Sequence, residues 1–149
     1  AAQTAIAAGG AGLTIAKLRT AKQTFDLASV DPSIPRHIVV GPEQITNLLS
    51  TTEVTSSDFN TVKALVQGEI DSFLGFKFTV SNRLAKSGND RTCIAFAQDG
   101  ITLAIGKDVS ARIDERADKS YATQVYYCQS IGATRMEEAK VLGIVCQEA

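Results

Sequence analysis

The longest regular pattern in the chain runs from Val109 to Met136. Val109, Ala111 and Ile113 alternate with Ser110, Arg112 and Asp114, the period-two signature of a strand with one apolar and one polar face. A polar stretch through Lys119 leads into a second arm, where Thr123, Val125 and Tyr127 alternate with Gln124, Tyr126 and Cys128. That pattern continues through Ile131 until Glu137 and Glu138 break it. The pattern predicts a two-stranded ribbon with apolar side chains turned inward and charge outward. Two strands alone are poorly stable in water, so the ribbon is expected to lean on something else, such as a neighbouring subunit.

The chain ahead of the ribbon mixes helical and strand periods. Ala1 to Gly12 is small and Gly-rich and reads as a connector. Thr14 is a good N-cap for a helix whose inner face is Leu18, Ala21, Phe25 and Ala28, with Leu13 packing on Leu18 as a staple. Lys17, Arg19, Lys22 and Gln23 are expected to cover the outer face, and the helix to end near Ser29. The two prolines of Asp31-Pro32-Ser33-Ile34-Pro35 mark a loop, and His37 to Val40 a short buried strand. Pro42 opens a second helix with Ile45, Leu48 and Leu49 inside. A third is expected from Ser57 to Gly68, with Phe59, Val62, Leu65 and Val66 along one side.

Phe73 to Val80 alternates like one half-buried strand, and Thr92 to Ala97, apolar on both faces, like an interior one. Asp99-Gly100 is ambiguous: it suits a tight hairpin to Ile101–Ile105 or a single helical turn capped by Asp99. Val141, Leu142, Ile144 and Val145 form a last strand.

Composition narrows the function classes. With 149 residues, 44% hydrophobic, 21% charged and a net charge of −1, the chain has the make-up of an ordinary globular domain and lacks the basic excess of a nucleic-acid binder. No apolar run approaches the roughly 20 residues of a spanning helix, so no membrane partner is expected. Cys93, Cys128 and Cys146 are odd in number and contain no C-x-x-C pair, which points to reduced structural thiols.

Candidate chemistry is sparse. His37, the sole histidine, stands at a strand mouth with no patterned nucleophile beside it. Gly9-Gly10-Ala11-Gly12-Leu13-Thr14 precedes a helix like a phosphate cradle, but no G-K-[ST] follows. Asp114, Glu115, Asp118, Glu137 and Glu138 could be imagined as a metal cluster. Arg112, Arg116, Lys119, Arg135 and Lys140 lie among them, so solvated or intersubunit ion pairs are the better reading. From the residues alone the choice lies between an assembly protein and a small α+β ligand-binding or enzymatic domain built around His37 and the Gly-rich entry.

Three stretches together resemble the C-terminal part of tailed-bacteriophage major capsid proteins, particularly those of short-tailed phages: residues 11–49, 56–84 and 106–141. The resemblance implies the HK97-like capsid fold, an α+β architecture. In it an axial domain with a central sheet and flanking helices surrounds the capsomer centre, and a peripheral domain carries a long β-hairpin. On that mapping residues 1–12 are a connector and 13–91 the axial domain. Residues 92–136 would be the peripheral strands and hairpin, and 137–149 a strand returning to the axial domain. The family often has a short helical turn where Asp99-Gly100 stands.

The implied function is a structural subunit of an icosahedral virion capsid, made in the host cytoplasm. It would self-assemble into pentamers and hexamers enclosing double-stranded DNA, with no enzymatic step and no cofactor. The implied partners are the chain itself and scaffolding, portal or decoration proteins, and a near-neutral charge suits an inner surface that must not grip packaged DNA. Arg112, Asp114, Glu115, Arg116 and Arg135 are the expected intersubunit contacts. Segments that family members carry ahead of this region, an arm, an extended loop and a spine helix, have no counterpart here, so the chain is expected to be part of a longer protein.

Overall fold

The computed structural model describes residues 4–50 and 72–148. Its elements are β1 (Thr4–Ile6), α1 (Ile15–Leu27), β2 (Arg36–Val40), α2 (Pro42–Ser50), β3 (Ser72–Phe73), β4 (Phe76–Val80), β5 (Lys86–Ser87), β6 (Asp90–Ala97), β7 (Ile101–Arg116), β8 (Ala122–Arg135) and β9 (Val141–Gln147). The chain divides into two compact units, a sheet unit of residues 1–101 and 136–149 and a ribbon of Thr102–Arg135. The third helix expected from Ser57 to Gly68 lies outside the described residues.

The sheet unit is built on a mixed sheet in the order β1-β9-β6-β2-β4-β3, with β5 paired to β6. β6 is antiparallel to both β2 and β9, whereas β2 and β4 run parallel. Pairing of Ile38 with Ala95, and of Ala95 with Leu142, sets these side chains on one face. That face packs with Leu18, Ala21 and Phe25 of α1 and Leu48 of α2 in a single apolar core. The reverse face, with His37, Val39, Ile94 and Phe96, is half-buried. The strand at Thr92–Ala97, grouped with the ribbon on sequence, is thus a central strand of this sheet. Its Cys93, Ala95 and Ala97 face the core, while Ile94 and Phe96 lie on the half-buried reverse face.

Local chemistry sets the element ends. The Thr14 hydroxyl accepts from the Lys17 amide at 3.4 Å, as the N-cap reading requires. α1 stops at Ala28, whose amide still reaches Thr24, and Ser29 follows with φ of 55°. Ala28 is exposed instead of facing the core. The expected single strand Phe73–Val80 is two strands, because Leu74 (φ 52°) and Gly75 (φ 83°) fold β3 back on β4. Gln98–Gly100 forms one 3₁₀ turn, so the chain does not return along β6 but enters the ribbon.

Two departures involve the N-terminal connector. Thr4–Ile6 is a strand, parallel to β9 with Thr4 opposite Leu142 and Ile6 opposite Ile144. Lys17, expected on the outer face of α1, is buried. Its ammonium donates to the carbonyls of Ala11 (2.7 Å), Gly12 (2.8 Å) and Val145 (3.0 Å), joining the connector to β9. Two of these carbonyls come from the connector and the third from β9, so the site that buries Lys17 forms only when these distant segments meet. Among the described residues no helix is long and apolar enough to cross a membrane.

Candidate functional site

The ribbon pairs a 16-residue arm, β7, with a 14-residue arm, β8. The first arm starts at Ile101, so the Ile101–Ile105 segment belongs to it. Side chains alternate across a strand, so Ser110, Arg112 and Asp114 share one face of β7; with Gln124 and Tyr126 of β8, and with Lys107, which is out of step with that alternation, they line a groove of about 510 Å³. Val109, Ile113, Val125 and Tyr127 therefore point to the opposite face.

That apolar face is as open as the charged one. Ile113 is 70% and Val125 68% exposed, and Val109, Tyr127 and Ile131 are exposed too. Among the described residues these side chains are exposed and not turned inward as the pattern predicts. Contiguous exposed apolar side chains are the kind of surface that mediates interactions.

At the turn, Arg116 makes a two-pronged bond with Asp118, Nε to Oδ1 at 2.9 Å and Nη2 to Oδ2 at 2.5 Å. Ser120 and Tyr121 then both take positive φ, 52° and 56°, which closes the turn into β8. Of the residues selected from sequence, Arg112 and Asp114 share the groove, Glu115 is exposed, Arg116 is engaged within its own chain, and Arg135 is half-buried near the end of β8. Sequence reasoning did not single out Lys107, Gln124 or Tyr126 as groove residues. The period-two pattern already put Gln124 and Tyr126 on one face, but not the phase between the arms.

Within the sheet unit, the chain leaves and returns through two short 3₁₀ turns, Gln98–Gly100 and Glu138–Lys140. The Met136 amide donates to the Gly100 carbonyl at 3.0 Å. Lys140 Nζ lies 2.6 Å from Asp99 Oδ2 and 2.8 Å from Glu137 Oε2, and these carboxylates, Asp99 foremost, hold its pKa above the usual lysine value. Two of the carboxylates suspected of forming a cluster, Asp118 and Glu137, are therefore ion-paired locally. Among the described residues no group of three or more His, Cys, Asp or Glu side chains could hold a metal ion.

The other candidates are structural as well. Glu148, 1% exposed, receives Arg91, Lys86 (Nζ to Oε2, 2.5 Å) and the Gln44 amide (3.1 Å). Bonds from Arg91 above all, then Lys86 and Gln44, hold its carboxyl down at about 2. This knot ties α2, β5 and β6 to the end of β9. The Gly-rich entry does not form a phosphate cradle: its Ala11 and Gly12 carbonyls point at Lys17, and a Cβ on Gly12 would run into the Asn47 side chain. His37 stacks on Phe96 with ring centroids 5.5 Å apart. Cys93, Cys128 and Cys146 are free thiols, the first and last buried. A hydrogen bond with Cys146, aided by burial, pushes the Cys93 thiol up and keeps it protonated.

With the ribbon and sheet described, comparison with known proteins becomes informative. The sequence pattern of the family described as "Phage capsid protein" matches residues 1–148. The chain belongs to that family. No curated protein matches it. Solved structures share the fold at low sequence identity. A protein of Mycobacterium phage Che8 is 19% identical with a TM-score of 0.73, the match covering 96% of this chain and 53% of that one. The cyanophage Pam1 capsid gives 13% identity and a TM-score of 0.70, covering 98% and 49%. The SrpI encapsulin complex of Synechococcus elongatus gives 9% and 0.61, covering 97% and 53%. These matches establish the HK97-like α+β fold of this phage capsid family member. The chain spans about half the length of the solved structures it matches.

Proposed function

We propose that the chain is part of a structural subunit that self-assembles into pentamers and hexamers forming an icosahedral virion capsid around double-stranded DNA. The sheet unit acts as the axial domain and the ribbon as the peripheral one, and assembly proceeds without an enzymatic step. The observation that carries the reading is the ribbon itself, in a chain of the phage capsid family: two long arms open on both faces, one face apolar and the other charged. Many modest contacts repeated by closed symmetry hold a shell even where each ion pair contributes little. Near-neutral charge favours an enclosing surface that does not grip DNA. Scaffolding, portal or decoration proteins are further partners of such a shell, and the host cytoplasm is its place of synthesis.

Arg112, Asp114, Glu115, Arg116 and Arg135 are the proposed intersubunit contacts, and their geometry ranks them. Arg112 and Asp114 present their charges to an open groove, whereas Arg116 is already satisfied by Asp118. Arg112→Glu is therefore expected to impair assembly more than Arg116→Glu, with the circular dichroism of the subunit unchanged in both. Light scattering of the full-length protein reads the outcome, and uniform shells from the double reversal would overturn the contact assignment. A ligand-binding domain around His37 finds no support in the stacked histidine or the carbonyl-lined entry.

A further inference from the structure

The two 3₁₀ turns described above, Gln98–Gly100 and Glu138–Lys140, are fastened to each other within the sheet unit in three ways. The Met136 amide bonds the Gly100 carbonyl. Lys140 bridges Asp99 on one turn and Glu137 beside the other. Gly100 itself lies so close that a Cβ there would stand 2.8 Å from Lys140 Cβ and 2.9 Å from the Lys140 carbonyl oxygen, so only glycine lets the turns meet. The first turn is anchored in addition by the Gln98 amide on the Pro35 carbonyl at 3.0 Å.

The strength of this fastening is uneven. The backbone of the sheet unit on either side is locked in β6 and β9, which pair from Asp90 to Phe96. The ion pairs, by contrast, are partly open to water, with the Lys140 side chain 21% and that of Asp99 41% exposed. Pairs of that kind are weak and salt-sensitive, suited to being made and broken without unfolding what they join.

We propose that Lys140, set over Gly100 and gripping Asp99 and Glu137, is a positioning residue: a releasable lock between the two turns that opens while the sheet stays intact. The inference rests on the capsid reading for its use, because a subunit serving both five- and six-membered rings must adapt the segments that carry its contact surface. Its structural part, a local lock that opens independently of the sheet, stands without that reading.

Hydrogen exchange on the full chain, read by mass spectrometry at peptide level, tests it. In Lys140→Met the Met136 amide is expected to exchange about three- to tenfold faster, the range for losing one or two exposed ion pairs. The β6 and β9 amides should keep their native rates. Lys140→Arg should restore protection. In the native chain about 1 M salt should produce the same local acceleration, and in Lys140→Met it should add nothing. Gly100→Ala, which pries the turns apart without touching a charge, should act like Lys140→Met.

Unchanged exchange at Met136 in Lys140→Met, or equal acceleration throughout β6 and β9, would overturn the lock. If Gly100→Ala fails to fold, the two lysine variants and the salt series still decide. In assembly, Lys140→Met is expected to broaden the distribution of particle diameters seen by electron microscopy. Native protein that forms no closed particles would refute the capsid reading alone, and native-like uniform particles from Lys140→Met would refute the use assigned to the lock.

Discussion

Removing the Lys17 ammonium is the sharpest test of how the sheet unit is held together. Lys17→Met keeps most of the aliphatic stem but takes the donor from three carbonyls, those of Ala11, Gly12 and Val145, that now accept at 2.7–3.0 Å. The Ala11 carbonyl keeps the Gln147 amide, so the loss falls on Gly12 and Val145. A buried acceptor left without a donor costs about 1–3 kcal/mol. Both residues are half-buried, so water can reach part of the site and the lower end applies to each, giving a sum of ~2 kcal/mol. The variant also recovers the cost of desolvating the ammonium, which trims the sum to about 1–2 kcal/mol. Against a typical domain stability of about 5–15 kcal/mol this is an appreciable loss.

Urea unfolding followed by circular dichroism reads that loss as a lowered midpoint at unchanged slope. Hydrogen exchange should localise it to the β1–β9 pairing and to the Gln147 amide, which bonds the Ala11 carbonyl at 3.1 Å. A Lys17→Met midpoint within about 0.5 kcal/mol of native would refute the reasoning, since desolvation would then cancel all three bonds.

Other consequences are equally direct. Glu148 has its carboxyl held at about 2 against an ordinary 4.5, so the stability it contributes is fully present above pH 4.5 and is lost as pH falls toward 2. Glu148→Gln should flatten the acid limb of a stability-versus-pH curve and leave its slope above pH 5 unchanged, as measured by thermal melts. Phe25 packs on Phe76 with centroids 5.9 Å apart and lies under the Arg36 guanidinium at 5.6 Å, so Phe25→Leu should cost about 1–3 kcal/mol in urea unfolding. Gly41→Ala should likewise lower stability, by about 1–3 kcal/mol, because the new methyl would strike the buried Gln44 side chain and crowd Arg91 at its Cδ.

Much of this protein follows from pattern. The Thr14 cap, the Leu18–Ala21–Phe25 stripe, Pro42 at the start of α2 and the alternation along both ribbon arms are local features, governed by interactions between residues one to four apart. They specified the helices, most strands and a long ribbon, and their combination carried the resemblance to a capsid fold.

What the pattern could not decide depends on residues far apart in sequence. Thr4–Ile6 has no strand signal of its own and becomes one only because the exposed edge of β9 offers it partners more than 130 residues away. Leu74-Gly75 breaks the alternation read from sequence because positive φ at both positions reverses the chain, which buries Phe73 together with Phe76. The buried state of Lys17 and Glu148 likewise needs donors and acceptors gathered from several elements, which no single stretch contains. The ribbon shows the division most plainly. The sequence determined which of its side chains share a face, since alternation is a property of one strand. Only the tertiary structure showed that the apolar side chains are exposed among the described residues, because burial depends on contacts that alternation within one strand does not contain.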